Sequence, residues 1–241
     1  MAWRKWEDLP KGMQKPEVRE YYDILTKKQF NLKLKRVFDI TAASILLVIL
    51  SPLMIVISIL IKRDSEGPVF YRQERVTTYG KKFRIHKFRT MVANADQIGS
   101  AVTVNGDSRI TKVGDFLRKY RLDELPQLID VLNGDMSFVG TRPESTKYVK
   151  KYTPEMRATL LLPAGITSEA SIGYKDEAEL LNSAEVDKVY VEEVLPRKMK
   201  TNLQSIREFS FIGEIKTMFR TIFAVMGKDY SEEKQKKAEY K

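Results

Sequence analysis

The stretch from Ile40 to Ile61 reads ITAASILLVILSPLMIVISILI and contains 22 consecutive residues without a charged side chain. It is longer than the roughly 18 apolar residues that indicate a membrane helix. A secretory signal peptide is disfavoured, because the stretch begins almost 40 residues into the chain and no small-residue cleavage site follows it. A buried core helix is also disfavoured, because core helices of this length normally carry a polar stripe. The stretch therefore predicts a helix in a lipid bilayer.

The pair Ser51-Pro52 lies at the midpoint of this stretch. Proline removes a backbone donor and clashes with the carbonyl four residues earlier, so we expect the helix to kink or break there, with the Ser51 hydroxyl satisfying a freed carbonyl. The two arms would be roughly 18 and 14 Å long, and each would reach about half of a ~30 Å hydrocarbon core. A re-entrant helix that turns at the proline fits these lengths, and a kinked single span fits them too.

Basic residues flank the stretch on both sides: Lys33, Lys35 and Arg36 precede it, and Lys62 and Arg63 follow it. Because positive charge favours the cytoplasmic side, both ends are predicted to stay on that side. Asp39 lies at the mouth of the stretch, where a carboxylate is costly unless it is paired. Lys35 or Arg36, about one turn earlier, is the predicted partner.

The composition excludes several kinds of site. The chain has 241 residues, a formal net charge of +10, no cysteine and one histidine, His86. The absence of cysteine excludes disulfides, thiolate zinc sites and thiol chemistry, and a single histidine makes a Ser-His-Asp enzyme improbable. Residues 62–121 contain fourteen Lys and Arg against six Asp and Glu. This basic stretch favours a phosphate ligand, or else it is only a solvated surface.

The remaining periodicities predict a few further elements. Residues 1–30 are predicted to be a flexible tail, with a membrane-interface role for Trp3 and Trp6 as the alternative. Short strands around Tyr79-Gly80 predict a hairpin. Helical patterns cover 113–131, interrupted by Pro126, and 176–206. Residues 209–226 form an amphipathic pattern, either packed on the core or lying in a bilayer interface.

The pair Asp123-Glu124 is the main candidate for chemistry, with Arg118 and Arg121 shortly before it. Two acidic residues at a helix start are ordinarily explained by the helix dipole. Beside arginines, however, adjacent carboxylates can hold Mg²⁺ together with substrate phosphates. An aspartate can also accept a phosphoryl group as a nucleophile, with arginines neutralising the transition state.

A second candidate is the stretch 134–143, where glycines flank a short apolar run and Arg142 lies in a constrained turn. It lacks the Lys-Ser/Thr ending of a P-loop, and the chain has no dinucleotide fingerprint. His86 stands among basic residues without a second histidine, so a structural role is favoured for it.

Six motifs in a fixed order carry a resemblance to a known family: KRVFD at 35–39, SP at 51–52, GPVFYRQER at 67–75, KFRTM at 87–91, LDELPQ at 122–127 and NGDMSFVG at 133–140. From about residue 33 to 226 the chain resembles the bacterial sugar transferases, the monotopic polyprenyl-phosphate phosphoglycosyl transferases. The resemblance implies transfer of a sugar 1-phosphate from a UDP-sugar to polyprenyl (undecaprenyl) phosphate, with release of UMP. This reaction initiates capsule, exopolysaccharide or O-antigen synthesis.

The same resemblance implies roles for individual residues. Asp123 becomes the nucleophile that forms a phospho-sugar intermediate, and Glu124 assists through Mg²⁺ (or Mn²⁺) or proton handling. Both carboxylates are the implied metal ligands. The implied phosphate-binding residues are Arg118, Arg142, Lys175, Lys87 and Arg89. Lys175 stands where the family commonly has an arginine, and lysine lacks the bidentate geometry of arginine. The implied membrane-helix residues are Lys35, Arg36, Asp39, Ser51 and Pro52.

The expected architecture is α+β, mainly α, with a re-entrant membrane helix broken at Ser51-Pro52, a small β-hairpin and interfacial amphipathic helices. The expected segments are an N-terminal extension (1–32), the re-entrant helix (33–63), a cytosolic interfacial catalytic domain (64–227) and a flexible tail (228–241).

The expected location is the cytoplasmic face of the bacterial inner membrane. The expected partners are a UDP-sugar, polyprenyl phosphate, the bilayer, downstream glycosyltransferases and a second copy in a homodimer, but not nucleic acid. Two alternatives remain open: a membrane-anchored basic binding module without catalysis, and a glycosyltransferase that releases UDP.

Overall fold

The computed structural model describes residues 3–95, 107–173 and 186–225. We number the helices and strands in chain order: α1 (Pro16–Lys27), α2 (Gln29–Asp64), β1 (Phe70–Val76), β2 (Lys82–Phe88), α3 (Lys112–Lys119), α4 (Gln127–Asn133), β3 (Met136–Val139), α5 (Thr146–Val149), β4 (Ala164–Thr167), α6 (Glu169–Gly173), α7 (Val186–Val189), α8 (Leu195–Arg207) and α9 (Phe211–Val225). Short 3₁₀ turns cover Trp6–Asp8, Thr78–Gly80, Leu122–Glu124 and Glu155–Leu161, and Tyr190–Val194 is a π-helical turn. The described chain is mainly helical, as predicted, and contains two small sheets.

The apolar stretch forms one helix, α2, of 36 residues. Pro52 lies inside it, so the predicted break at Ser51-Pro52 does not interrupt the helical structure. Pro52 has no N–H for the Val48 carbonyl, and the Ser51 hydroxyl donates to that carbonyl at 2.8 Å. The predicted compensation by Ser51 is therefore confirmed. In the described residues α2 is the one helix long and apolar enough to cross a membrane.

Both arms of α2 pack on the rest of the chain. In the first arm Ala43, with Leu46 and Leu50, joins a cluster with α4 and β3 that includes Val131 and Met136. In the second arm Ile57 and Ile61 join another cluster with Phe88 and Leu117. The opposite face is exposed and apolar along the whole stretch: Val37, Ile40, Ile45, Val48, Ile49, Leu53, Ile55, Val56, Ile59 and Leu60.

Polar contacts fix the start of α2. Arg36 donates to the carbonyls of Val131 (2.6 Å) and Leu132 (2.8 Å) at the end of α4. Buried Lys35 donates to the Val139 carbonyl at 2.8 Å and to the carboxylate of Glu214 on α9.

The partner of Asp39 differs from the prediction. Because Lys35 and Arg36 are engaged elsewhere, Asp39 accepts hydrogen bonds from the Ser137 hydroxyl (2.8 Å) and the Phe138 backbone N–H (3.3 Å) instead. Asp39 is buried, so these two donors from β3 supply the pairing that its carboxylate requires.

The hairpin prediction is confirmed. Strands β1 and β2 pair antiparallel around a turn in which Tyr79 and Gly80 have positive φ angles, 58° and 76°. The second sheet was not predicted. It is the parallel pair of β3 and β4, whose four-residue strands are too short to show a period.

The prediction of a flexible N-terminal tail is wrong. Val18, Tyr21 and Leu25 on α1 are fully buried in a cluster with the buried side chains of α8. The Tyr21 hydroxyl donates to Glu155 at 2.5 Å, and the Arg207 guanidinium stacks on the Tyr21 ring. The apolar side chains of α1 recur at helical spacing, but only their long-range partners show that the helix is docked.

The amphipathic pattern near residue 209 is confirmed as the helix α9, which packs on α2, α6 and β3. It leaves Ile212, Phe219, Ile222 and Phe223 exposed. The predicted helix at 176–206 is described only from Val186 onward, as α7, the π-helical turn and α8. The tail predicted for 228–241 lies outside the described residues.

Replacing Leu25 by Ala tests the docking of α1. Leu25 is fully buried, so we expect the free energy of unfolding to fall by roughly 2–5 kcal/mol and the melting temperature to fall with it. Lys27→Ala, at an exposed position of the same helix, should change little. Thermal unfolding in detergent, followed by tryptophan fluorescence, measures both. Equal and small effects of the two substitutions would show that α1 is not part of the core.

Candidate active site

The pair Asp123-Glu124 lies on the 3₁₀ turn that follows α3. The turn begins at Arg121, whose left-handed backbone (φ 56°) stops α3 and reverses the chain. Leu122 and Leu125, on either side of the pair, pack into the cluster beneath the second arm of α2. The two carboxylates are thus carried by a turn that apolar side chains hold in place from both sides.

Glu124 is a buried carboxylate with two cations. Its side chain is about 10 % exposed, and its Oε1 accepts from Lys87 Nζ at 2.7 Å and from Arg142 at 2.9 Å. Burial alone would raise the pKa of Glu124. The positive charges of Arg142 and Lys87 outweigh burial and hold that pKa well below its ordinary range. Glu124 is therefore a permanently ionised group.

Strand β2 and a loop after β3 supply these two cations. On β2, Phe83 and Ile85 are buried, and the alternation places Lys87 on the same side, at the site. The loop that carries Arg142 is held where Gly140 and Gly165 meet. A Cβ added at Gly140 would lie 2.5 Å from the Pro163 carbonyl, so no side chain fits there.

Asp123 differs from its neighbour in exposure and in contacts. It is partly exposed, and no side chain or backbone donor among the described residues hydrogen-bonds to it. Burial raises the pKa of Asp123, and the charge of Lys87 partly offsets this effect. Arg118 and Arg121 also lower it from nearby. Asp123 is therefore an unengaged and more basic carboxylate surrounded by positive charge.

The carboxylate pair is the feature that would hold a metal ion. No group of three or more metal-ligating side chains occurs within residues 3–95, 107–173 and 186–225. Mg²⁺ needs fewer, since it commonly binds through one or two carboxylates, substrate phosphates and water. Both cations contact Oε1 of Glu124, which leaves Oε2 and the Asp123 carboxylate as oxygen donors. The residues fit Mg²⁺ only together with a phosphate ligand.

Three of the predicted phosphate-binding residues come together around the pair: Arg118, Lys87 and Arg142. Arg89 does not. It is buried and donates to the carbonyls of Ser65 (2.7 Å) and Glu66, the residues that follow α2. Lys175 lies outside the described residues.

The contact between His86 and Asp130 was not foreseen. Asp130, fully buried on α4, accepts from the His86 backbone N–H at 2.8 Å, and its other oxygen lies 2.6 Å from Nδ1 of the ring. These two contacts join β2 to α4 beside Lys87, which agrees with the structural role predicted for His86. Sequence reasoning also missed that Lys87 pairs with Glu124. The alternation along β2, in which Lys87 follows Phe83 and Ile85 at two-residue steps, was the available signal that Lys87 faces the interior.

A long apolar helix, together with a carboxylate pair set among cations, is typical of a membrane-associated protein that acts on phosphates. Residues 30–228 match the family model described as bacterial sugar transferase. The chain belongs to the bacterial sugar transferase family, as its motifs predicted.

Several curated proteins are similar to the chain. It is 36 % identical over 198 residues to the UDP-N-acetylgalactosamine-undecaprenyl-phosphate N-acetylgalactosaminephosphotransferase of Aeromonas hydrophila, a match that covers 80 % of this chain and 44 % of the relative. It is 38 % identical over 198 residues to the UDP-glucose:undecaprenyl-phosphate glucose-1-phosphate transferase of Escherichia coli K12, covering 80 % and 40 %. A glucose-1-phosphate transferase of the same name from Caulobacter vibrioides is 34 % identical, covering 81 % and 70 %. The chain thus spans less than half the length of the first two relatives.

Replacing Glu124 by Gln tests the role of its charge. The substitution leaves Lys87 and Arg142 without their shared anion, so we expect the free energy of unfolding to fall by roughly 3 kcal/mol at neutral pH. Because the pKa of Glu124 is lowered in the folded protein, its contribution is complete above the ordinary glutamate pKa of about 4.3 and is lost at lower pH. The difference from the wild type should therefore narrow on acidification.

Thermal unfolding across the acidic range measures this difference. Glu192→Gln, at an exposed position, is the matched control and should leave stability nearly unchanged. A variant at position 124 as stable as the wild type at neutral pH would contradict the proposed balance of charges.

Proposed function

We propose that the chain transfers a sugar 1-phosphate from a UDP-sugar to polyprenyl phosphate, with release of UMP, as the first step of cell-surface polysaccharide or glycoconjugate synthesis. Membership of the bacterial sugar transferase family and the names of the similar proteins support this reaction. The observation that carries the mechanism is the difference in contacts and pKa between the two carboxylates. Glu124 is locked between two cations, while Asp123 has no hydrogen-bond donor among the described residues and a raised pKa.

In the first step an Asp123 oxygen attacks the phosphorus that carries the sugar. A new O–P bond forms to Asp123, the bond between the two phosphates of the donor breaks, and UMP leaves with the bridging oxygen. A carboxylate whose pKa is raised is a stronger nucleophile than an ordinary one, provided that it is ionised. Lys87, Arg118 and Arg121 favour that ionised state.

In the second step an oxygen of polyprenyl phosphate attacks the same phosphorus. The bond to Asp123 breaks, the product is a polyprenyl diphosphate sugar, and the Asp123 carboxylate is regenerated. The reaction is therefore ping-pong, since UMP leaves before the acceptor reacts. The same carboxylate serves both steps, because UMP has left the site before polyprenyl phosphate attacks.

The surrounding cations stabilise charge on the transferring phosphate. Arg118 lies close to Asp123. Arg142 and Lys87, which pair with the neighbouring residue Glu124, place two more positive charges beside the site. When Mg²⁺ is bound, Oε2 of Glu124 and Asp123 would hold it, and it would supply charge neutralisation for the diphosphate. Because the pKa of Glu124 is lowered, Lys87 and Arg142 keep their shared anion at neutral pH.

We further propose that α2 is re-entrant and that the domain lies on the cytoplasmic face of the inner membrane, with α9 in the interface. A spanning helix places its two ends on opposite sides of a ~30 Å apolar core. Here Arg36 near the start of α2 and Asp64 at its end bond to the same domain, the latter through the Val113 N–H at 3.0 Å. Both arms also pack on that domain. These contacts support entry and exit on one side.

Nucleotide release tests the reaction. The detergent-solubilised protein, with magnesium, undecaprenyl phosphate and a panel of UDP-sugars, should release UMP with one donor or a few. Asp123→Asn should lower that rate on the order of a thousandfold or more, because the nucleophile is lost. Asp115→Asn, at an exposed position on α3, should retain it. Without acceptor, labelled donor sugar should stay attached to the wild-type chain and not to Asp123→Asn. Release of UDP would indicate an ordinary glycosyltransferase, and no nucleotide with any donor would favour a binding module.

Labelling of introduced cysteines tests the membrane arrangement. The chain has no cysteine, so Lys15→Cys and Lys200→Cys each create a single reporter, before and after α2. In intact cells an impermeant maleimide should reach neither position, and in inside-out vesicles it should reach both. Detergent-lysed membranes provide the control for reactivity. Opposite accessibility of the two positions would mean that α2 spans the membrane.

A further inference from the structure

A groove runs along the outer side of the second arm of α2. It has a volume of about 440 Å³ and is lined by Ile55, Ser58, Ile59, Lys62, Arg63 and Val69. The groove is shallow and open along most of its length. Along the helix axis Ile55 lies roughly 10 Å and Ile59 roughly 5 Å before Lys62, at a rise of about 1.5 Å per residue. The groove therefore has an apolar floor and a positive mouth.

The cations at the mouth are available to a ligand. Lys62 and Arg63 are exposed, and neither forms an ion pair with any residue that the structure describes. The acidic residue next to them, Asp64, turns to the Val113 N–H on α3. Arg89 binds the carbonyls of Ser65 and Glu66 just after α2, and Lys62 and Arg63 take no part in that contact.

The groove is separate from the carboxylate pair. Ile57 and Ile61, on the other side of α2, are buried in the cluster with Leu117, which also includes Leu122, the residue before Asp123. Packed apolar side chains thus lie between the groove and the pair.

We propose that this groove binds one anionic phospholipid, with an acyl chain along Ile55, Ile59 and Val69 and the phosphate at Lys62 and Arg63. The order of apolar residues and cations matches the order of chain and headgroup in such a lipid. Separation from Asp123 argues against the acceptor lipid, whose phosphate must react. The inference rests on the membrane placement of α2 under the proposed function and not on catalysis. The bound lipid fills the side of α2 that the domain leaves uncovered.

Fluorescence quenching by brominated lipids tests the site. A bimane label at Ile59→Cys reports on the groove, and one at Val48→Cys reports on exposed helix in the other arm. In phosphatidylcholine nanodiscs, brominated phosphatidylglycerol should associate with position 59 more tightly than brominated phosphatidylcholine, by about fivefold per cation. At position 48 the two lipids should quench alike.

Substitutions assign the preference to the two cations. Lys62→Gln with Arg63→Gln should abolish the preference at position 59. Lys11→Gln with Lys15→Gln, which removes the same charge from exposed sites before α2, should keep it. Equal quenching by both lipids at position 59 of the otherwise unchanged protein would overturn the proposal.

Two further measurements separate this proposal from the catalytic one. Asp123→Asn should show the same lipid preference, because binding requires no turnover. Undecaprenyl phosphate at equal concentration should not displace phosphatidylglycerol from position 59. Displacement would assign the groove to the acceptor and overturn the phospholipid assignment.

Discussion

A buried carboxylate must be neutralised, and the structure around the site follows from how Glu124 meets that requirement. One cation comes from β2 and the other from the loop after β3, so the hairpin and the parallel sheet have to converge on one turn. The close contact of Gly140 with the β4 side makes this convergence sterically possible. Asp123, one residue away, receives positive charge without a bond of its own. The ion pair thus links the turn to β2 and to the loop after β3, and it brings positive charge close to Asp123.

The long apolar helix obeys the same requirement, that every buried polar group has a partner. The domain satisfies the charged groups that α2 buries: β3 donates to Asp39, and Lys35 donates to Val139 and Glu214. Arg89 binds the carbonyls just after the helix. Ser51 supplies the donor that Pro52 lacks. As a result, the surface that α2 leaves exposed is mostly apolar between Val37 and Leu60, and the exposed charges Lys33, Lys62 and Arg63 lie outside that stretch. Such a helix can enter lipid on one face while the other face stays attached to a polar domain.

Local patterns in the sequence predicted the hairpin, α9 and the apolar helix, because each element carries its own period or turn residues. The carboxylate pair was also recognisable, since acidic residues are scarce in the basic stretch around it. Contacts between distant segments were not predictable. Asp39 was assigned to Lys35 or Arg36, one turn away, whereas its donors lie about a hundred residues later, on β3. Arg89 stands in a family motif, and only the structure shows that its guanidinium faces the end of α2.

The family match begins at residue 30, yet α1 ends at Lys27 and contributes fully buried side chains to a core shared with α8. The boundary of homology and the boundary of the folding unit are therefore different in this chain. In this chain the segment before the matched region closes a hydrophobic surface that the matched region alone would leave open. Cutting this chain back to the matched region would therefore expose the apolar face of α8 that α1 covers.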